Sequence, residues 1–386
     1  MRVLMLNTPV PTHFSPLLPL AWALRGEGHE VVAAVQPDVV DTALTAGLHT
    51  VSIGDPYHVE DLLSGGLPPG KRPREVRPRP DAAGLAGGAK VWQMHAKYLV
   101  EEHLAVARRY RPDLIVADMM EYSSLIVGGV LGVPVVHHRW GLDPFTTGAR
   151  AAAREALGPL CRRLGLPGLP DPDVVLDPSP AALRLPETSP GTPIRYVPSN
   201  GPAVLPDWLY DGPAADRRRV VVSLGTSTLD LGGLPLLSHV LRAFADLPGT
   251  EALATVPGRL RESLTGLPPN VRLIDPVPLR PLLDSCAAVV HHGGAGTLFT
   301  ATDAGLPQLV LPQIMDQFPH GDALVSAGAG LTLAEAADQD DPGQVAAAVR
   351  KLLDDPSYAS AAEGLAGAIA AMPSPGQVAR DLARLV

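Results

Sequence analysis

Short apolar runs separated by turn residues set the rhythm of this chain. Residues 3–6, 30–35, 114–117 and 133–137 are near-continuous apolar stretches and are predicted as strands. Between them, apolar positions recur every three or four residues. Residues 15–26 bring Leu17, Leu18, Leu20, Ala21 and Leu24 to one helical stripe, and 39–46 and 122–131 read as shorter helices. The rhythm restarts at 220–224 and continues through 251–256, 271–274, 287–290 and 308–311. Strands alternating with helices imply parallel βαβ units with right-handed crossovers. Strands that are apolar on both sides imply sheets covered on both faces. The expected fold is α/β, with two doubly wound Rossmann-like domains facing an interdomain cleft.

Proline and glycine mark the divisions. A stretch rich in both, at 196–212, separates the two halves. The expected organisation is a first domain over 1–200, a linker over 201–217, a second domain over 218–371 and a helix within 372–386, after a Pro-Ser-Pro break. Residues 55–89 interrupt the alternation with glycine, proline and charge, and are expected to form a mobile loop at the substrate. No internal repeat of 20–50 residues is present.

Composition narrows the class. The 386 residues suffice for two cores, and with only 4% aromatics those cores rest on Val, Leu and Ala. Lys plus Arg total 31 against 40 Asp plus Glu, a net charge of −9, which argues against a nucleic-acid partner. The basic runs at 71–79 and 217–219 read as solvated loop charge. Cys161 and Cys286 have neither metal spacing nor a disulfide framework, and Cys286 precedes an apolar run as a core thiol would. The apolar start is interrupted by Asn7, Thr8 and His13, with no cleavage site after it, so it reads as a buried strand, not a signal peptide. No window has 18 uninterrupted apolar residues, so no transmembrane helix is expected. A reducing cytosol fits this usage. Oligomeric state is unreadable, and a homodimer is compatible with the sequence.

The densest chemistry lies late, in His291-His292-Gly293-Gly294-Ala295-Gly296-Thr297. An apolar strand leads into it and a helix follows. A glycine-rich turn there exposes backbone N–H groups at the positive end of a helix dipole, which invites phosphate. Ser223, Gly225 and Thr226 end an earlier strand of the same half and offer a glycine and hydroxyls for the same purpose. Asp316 and Gln317 follow the strand 308–311, and a carboxylate beside a carboxamide can bracket adjacent sugar hydroxyls. Together these groups describe a nucleotide-sugar pocket. In the first half, His13 follows the first strand and Asp118 ends another, so both are expected at the cleft. An aspartate beside a histidine fixes its tautomer and makes it a general base.

These residues resemble the family-1 glycosyltransferases of the GT-B fold, over nearly the whole chain. The resemblance rests on His13-x-x-Pro16, Gly26-x-Gly28-His29-Glu30-Val31, the run 112–118 ending in Asp118, Leu131-Gly132-Val133-Pro134-Val135, the turn His292 to Thr297, and Asp316-Gln317. Bacterial members that decorate aromatic polyketides are the most similar. His138-Arg139-Trp140-Gly141-Leu142-Asp143-Pro144 resembles a segment of angucycline-type enzymes, some of which form C-glycosides. The resemblance implies an inverting, metal-independent hexosyltransferase of antibiotic biosynthesis. It implies a TDP-deoxysugar co-substrate on the second domain, no further cofactor, and an aglycone on the first. His13 matches the base and Asp118 its orienting acid. His292 matches the diphosphate-binding histidine, with Gly293, Gly294, Gly296 and Thr297 as the phosphate turn. Val277, Pro278 and Leu279 fall in the loop matching the base-binding segment, where Pro276 and Leu279 replace the Trp and Gln of plant members. His320 stands where many relatives have Asn. Phe14, Trp92, His138 and Trp140 are the acceptor-side candidates.

Two other readings compete. A nucleotide-sugar 2-epimerase of similar fold would turn over donor alone. A silent nucleotide-sugar-binding partner of another transferase would need no base, and the His13–Asp118 pairing argues against it. No Gly-x-Gly-x-x-Gly follows the first strand, which argues against a nicotinamide enzyme. Asp171-Pro172-Asp173 resembles a metal signature, yet no nucleotide-binding strand leads into it, so no metal is expected there.

Overall fold

The computed structural model describes residues 1–213 and 216–386. The first sheet contains β1 (Arg2–Leu6), β2 (Glu30–Val35), β3 (His49–Ser52), β4 (Leu114–Asp118), β5 (Val135–His138), β6 (Val174–Asp177) and β7 (Thr192–Pro193). They run parallel in the order β3-β2-β1-β4-β5-β6-β7. The period of two sorts their side chains onto the two faces. Leu4, Leu6, Ile115 and Ala117 enter one core, and Val3, Met5, Leu114 and Val116 enter the other. Fully burying each such Val or Leu contributes about 1.5–3 kcal/mol.

The second sheet contains β8 (Arg218–Ser223), β9 (Thr250–Thr255), β10 (Val271–Ile274), β11 (Ala288–His291), β12 (Gln308–Val310) and β13 (Gly330–Thr332), in the parallel order β10-β9-β8-β11-β12-β13. Each sheet changes winding direction once, between β1 and β4 in the first and between β8 and β11 in the second. Loops diverge at such a switch point and leave a crevice at the carboxyl ends of the strands. The segments carrying His13, Asp118, Ser223 and His292 are the ones that leave these four strands.

Nine strands match the apolar pattern to within a few residues, whereas β3, β6, β7 and β13 fall outside the runs it marks. The fifth strand begins at Val135 because Gly132 takes a left-handed φ of 68° and Val133 still donates to the Gly128 carbonyl of the preceding helix. The sequence pattern missed the 21-residue helix Lys90–Tyr110, whose buried Trp92, His95, Ala96, Leu99, Val100, His103, Leu104 and Ala107 follow helical spacing. Two buried histidines break up its apolar stripe.

Residues 55–89 differ most from expectation. They carry helices Val59–Ser64, Pro73–Val76 and Ala82–Gly88, and they clasp the second domain. Arg72 is only 2% exposed; it donates to Gln313 Oε1 at 3.0 Å, Gln339 Oε1 at 3.2 Å and Asp340 Oδ2 at 3.1 Å. Arg74 donates to the Ala334 carbonyl and pairs with Glu335, and Arg79 pairs with Asp322. The basic run at 71–79 is thus an interdomain strap and not solvated loop charge. Arg219 corrects the other basic run, being buried and paired with Glu251 at 2.9 Å.

The connection between the halves is also packed. Tyr196 is buried, its hydroxyl 3.1 Å from Thr300 Oγ1, and Asn200 donates to the same oxygen. The linker expected over 201–217 includes Ala214 and Ala215, which lie outside the described residues. The last helix, Pro375–Leu382, returns to the first half, where Val378, Ala379 and Leu382 join the core of Val3 and Met5 and Arg380 pairs with Glu27. The outgoing and returning segments meet where Arg195 donates to the Pro373 carbonyl at 2.8 Å. Cys161 is a fully buried core thiol, while Cys286 is half-buried against the core of Leu282 and Leu283, where burial pushes its thiol up to about 12. Among the described residues no helix is long and apolar enough to cross a membrane.

Candidate active site

The first helical turn begins earlier than the apolar pattern predicts. Val10 is extended and Pro11 opens a turn over Pro11–Phe14, which lifts His13 over the end of β1. Its Nδ1 lies 2.8 Å from Thr8 Oγ1, and Thr8 Oγ1 donates to Asp118 Oδ2 at 2.9 Å. His13 and Asp118 are therefore brought together through Thr8 and not by direct contact. Asp118 is fully buried and also accepts from the backbone N–H groups of Thr8 at 2.6 Å and Met120 at 2.8 Å. Those three donors favour the carboxylate, but desolvation outweighs them and, with nearby Glu121, pushes Asp118 up to about 7. Desolvation lowers His13 to about 3, so its resting ring is neutral.

Aromatic rings enclose His13. Trp140 stacks on His13 with centroids 3.7 Å apart and planes 6° apart, and Trp92 meets it edge-on at 5.9 Å. Tyr57, from the strap segment, packs on Trp92 at 6.0 Å. Of the four acceptor-side candidates, Phe14 is misplaced: it is fully buried in the core of Val3 and Met5. The early helical turn rotates it to the opposite side from His13. His138 is 3% exposed, its Nδ1 2.6 Å from the Arg139 carbonyl, and it is not among the rings on His13. One face of the Trp140 indole is taken by the imidazole, which makes it a neighbour of the base first.

Next to Trp92, whose ring meets His95 edge-on at 5.8 Å, lies a buried polar group that the sequence did not announce. Glu121 Oε1 accepts from Ser123 Oγ at 2.7 Å, and its Oε2 faces His95 Nδ1 at 3.5 Å. His95 Nε2 lies 2.5 Å from Gln36 Oε1, and His103 Nδ1 lies 2.5 Å from Ser123 Oγ. Burial pushes Glu121 up to about 7 and His95 down to about 4.

On the other side of the cleft, His291 ends β11 and does more than flank the turn. Its Nε2 is 2.9 Å from Gln308 Oε1, and its Nδ1 accepts from Gly293 N–H at 3.0 Å. Gly293 takes φ 92°, which a side chain would oppose. Gly294 then caps the helix Ala295–Asp303. His292 lies between two glycines. A Cβ on Gly225 would sit 2.7 Å from His292 Cε1, and one on Gly294 would sit 2.4 Å from Nε2. Desolvation lowers His292 to about 4, and its Nδ1 has no hydrogen-bond partner among the described residues.

The flanking residues divide. Ser223 Oγ accepts from Thr255 Oγ1 at 3.0 Å, while Thr226 is exposed at the start of a short helix. The Gly296 carbonyl is bonded by Thr300 Oγ1 at 2.6 Å, and Thr297 is half-buried in the first turn. Gln317 Oε1 accepts from the N–H groups of Gln313 at 2.8 Å and Ile314 at 3.2 Å, so only its amide NH2 is free to reach a sugar. Asp316 is half-buried and 3.7 Å from His320 Nε2. His320 is fully buried with Nδ1 2.7 Å from the Gly293 carbonyl, so it braces the phosphate turn. Leu279 turns its side chain into the core with Leu253 and Leu282, which leaves the backbone of Val277, Pro278 and Leu279 as the loop's offering. Asp171 pairs with Arg150 and Arg154, and Asp173 accepts from Val135 N–H at 2.8 Å.

His13 and the glycine turn share one seam. Gly141, next to Trp140, packs so closely on Ala295 that a Cβ would lie 2.7 Å from the alanine methyl. His320 Nε2 lies 3.5 Å from the Leu142 carbonyl, and Gly88 packs on Met315. The arrangement can deprotonate a group on one side and receive an anionic leaving group on the other.

A family model described as "Erythromycin biosynthesis protein CIII-like, N-terminal domain" matches residues 22–225, and its C-terminal counterpart matches residues 238–385. The L-demethylnoviosyl transferase of Streptomyces niveus is 35% identical over 385 residues, 99% of this chain and 98% of the relative. The TDP-daunosamine transferase DnrS of Streptomyces peucetius is 32% identical over 423 residues, 100% of this chain and 97% of its own length. The solved spinosyn rhamnosyltransferase SpnG complexed with thymidine diphosphate superposes with a TM-score of 0.85 at 36% identity, covering 99% of this chain and all of that one.

Proposed function

The chain belongs to the erythromycin CIII-like glycosyltransferases of GT-B fold, and we propose that it moves a deoxysugar from a TDP-sugar to an aromatic polyketide-type aglycone in antibiotic biosynthesis. The observation that carries the reading is the seam itself: a neutral histidine linked to a buried carboxylate, opposite a glycine turn at a helix N-terminus. Residues 1–200 hold the aglycone and 218–371 the donor. His13 takes the acceptor proton, and the acceptor oxygen or ring carbon attacks the anomeric carbon with inversion. The diphosphate leaves towards His292, the amides of the turn and the positive end of the helix Ala295–Asp303. Asp316 and the Gln317 amide hold sugar hydroxyls. These groups bear the leaving-group charge, so the reading requires no metal. The relatives named for TDP-daunosamine and thymidine diphosphate support TDP over UDP.

The test is a panel of TDP- and UDP-sugars against aromatic polyketide aglycones, with a donor-only arm and an EDTA arm. Expected is transfer from TDP-sugars with inverted anomeric configuration, unchanged by EDTA. Retained configuration would sink direct displacement, and donor turnover without acceptor would make the protein an epimerase. Acid stability of the product separates C- from O-linkage. His13→Ala is expected to lower turnover roughly 10²–10⁴-fold. His292→Ala should weaken both TDP binding and the displacement step.

A further inference from the structure

We infer that Thr8 is a positioning residue that couples Asp118 to His13 and fixes the tautomer of the base. The inference rests on the reading of His13 as general base. A threonine hydroxyl carries one proton and two lone pairs. Thr8 Oγ1 stands 2.9 Å from Asp118 Oδ2 and 2.8 Å from His13 Nδ1, so it contacts both groups at once. Above its raised pKa of about 7 Asp118 is ionised and can only accept, so the hydroxyl proton goes to Asp118. The lone pair left on Oγ1 must then receive a proton from His13, which puts that proton on Nδ1. Nε2 is left with its lone pair free for the acceptor. When the acceptor proton arrives at Nε2, the imidazolium is held at Nδ1–H by an oxygen polarised by Asp118.

The surroundings reinforce this geometry. Thr8 is fully buried, and its backbone N–H independently holds Asp118 Oδ2 at 2.6 Å. Removing the hydroxyl breaks its bonds to both the ring and Oδ2, while the backbone N–H groups of Thr8 and Met120 still hold the carboxylate in place. Trp140 stacked on the imidazole at 3.7 Å blocks one face, so the ring can turn little about its plane. Tautomer choice is left to the atom that meets Nδ1. The raised pKa of Asp118 marks a carboxylate held without full solvation, whose charge acts strongly on what it touches.

Histidine ¹⁵N spectra of the resting full-length enzyme, recorded well above the Asp118 pKa of about 7 so that the carboxylate is ionised, test the tautomer directly, with His13→Gln to assign the signal. Expected is the Nδ1–H form in the wild type and in Thr8→Ser, and a mixed or Nε2–H form in Thr8→Val. An Nε2–H wild type, or a Thr8→Val protein that keeps Nδ1–H, overturns the inference. Turnover is then measured with the sugar–aglycone pair found in the panel. Thr8→Val should lose roughly 10²–10⁴-fold in kcat with donor KM unchanged, and Thr8→Ser should recover most of it. Equal losses in Thr8→Val and Thr8→Ser, with melting temperature and thymidine diphosphate affinity intact, would reduce Thr8 to a packing role and sink the proposal. Full activity in His13→Ala would instead remove the base reading, an outcome separable from both.

Discussion

Gly225 and Gly294 owe their identity to one imidazole as much as to phosphate. Each would drive a methyl group into His292 if substituted by alanine. Gly294→Ala is therefore expected to weaken thymidine diphosphate binding at least tenfold by calorimetry, and overpacking should cost roughly 1–3 kcal/mol of stability. On the base side, Asp118 has its pKa raised to about 7, chiefly by desolvation and then by Glu121. A carboxyl with a raised pKa is ionised only above that value, so its support of His13 is present at high pH and lost as pH falls through about 7. A kcat profile should show an acid limb near 7 that Asp118→Asn abolishes. The two histidines were legible because each follows an apolar strand in a short turn. Thr8 was not, because a threonine after a strand has no signature until its two neighbours are located. Phe14 was misassigned because Pro11 starts the helical turn before any apolar period begins.

The parallel strands were the most legible elements, since unbroken Val/Ala/Leu runs have few alternatives. The least legible was 55–89, whose order comes from partners about 240 to 270 residues away. No local pattern can encode a guanidinium that finds Gln313, Gln339 and Asp340 in another domain. Arg72→Ala removes the donor of the buried Gln313 Oε1 and one partner each of Gln339 and Asp340, at a cost of roughly 3 kcal/mol. The expected readout is faster limited proteolysis within 55–89 with the second domain still binding thymidine diphosphate. Unchanged cleavage would mean that Arg74 and Arg79 hold the strap alone. Because Tyr57 packs on Trp92 beside His13, release of this strap should also raise the aglycone KM.

Seven histidines, at 13, 95, 103, 137, 138, 291 and 292, are lowered by burial to values of about 3 or 4, against two carboxylates, Asp118 and Glu121, raised to about 7. Below the ordinary histidine pKa the unfolded chain takes up protons that the native protein refuses. Each uncompensated ring then costs about 1.4 kcal/mol per pH unit. The two acids work the other way but are outnumbered. The melting temperature should fall steadily from pH 7 to pH 5, and a flat profile would show these rings to be solvated. Because Pro375–Leu382 returns to the first half, and Arg195 touches Pro373 at the point of departure, the second half is a cassette spliced into the first through two adjacent seams. Recombination that swaps sugar preference must cut at both, near 200 and near 372. A hybrid joined only once would set a foreign Leu382 and Arg380 against the native Leu24 and Glu27, and would be expected to misfold before its specificity could be read.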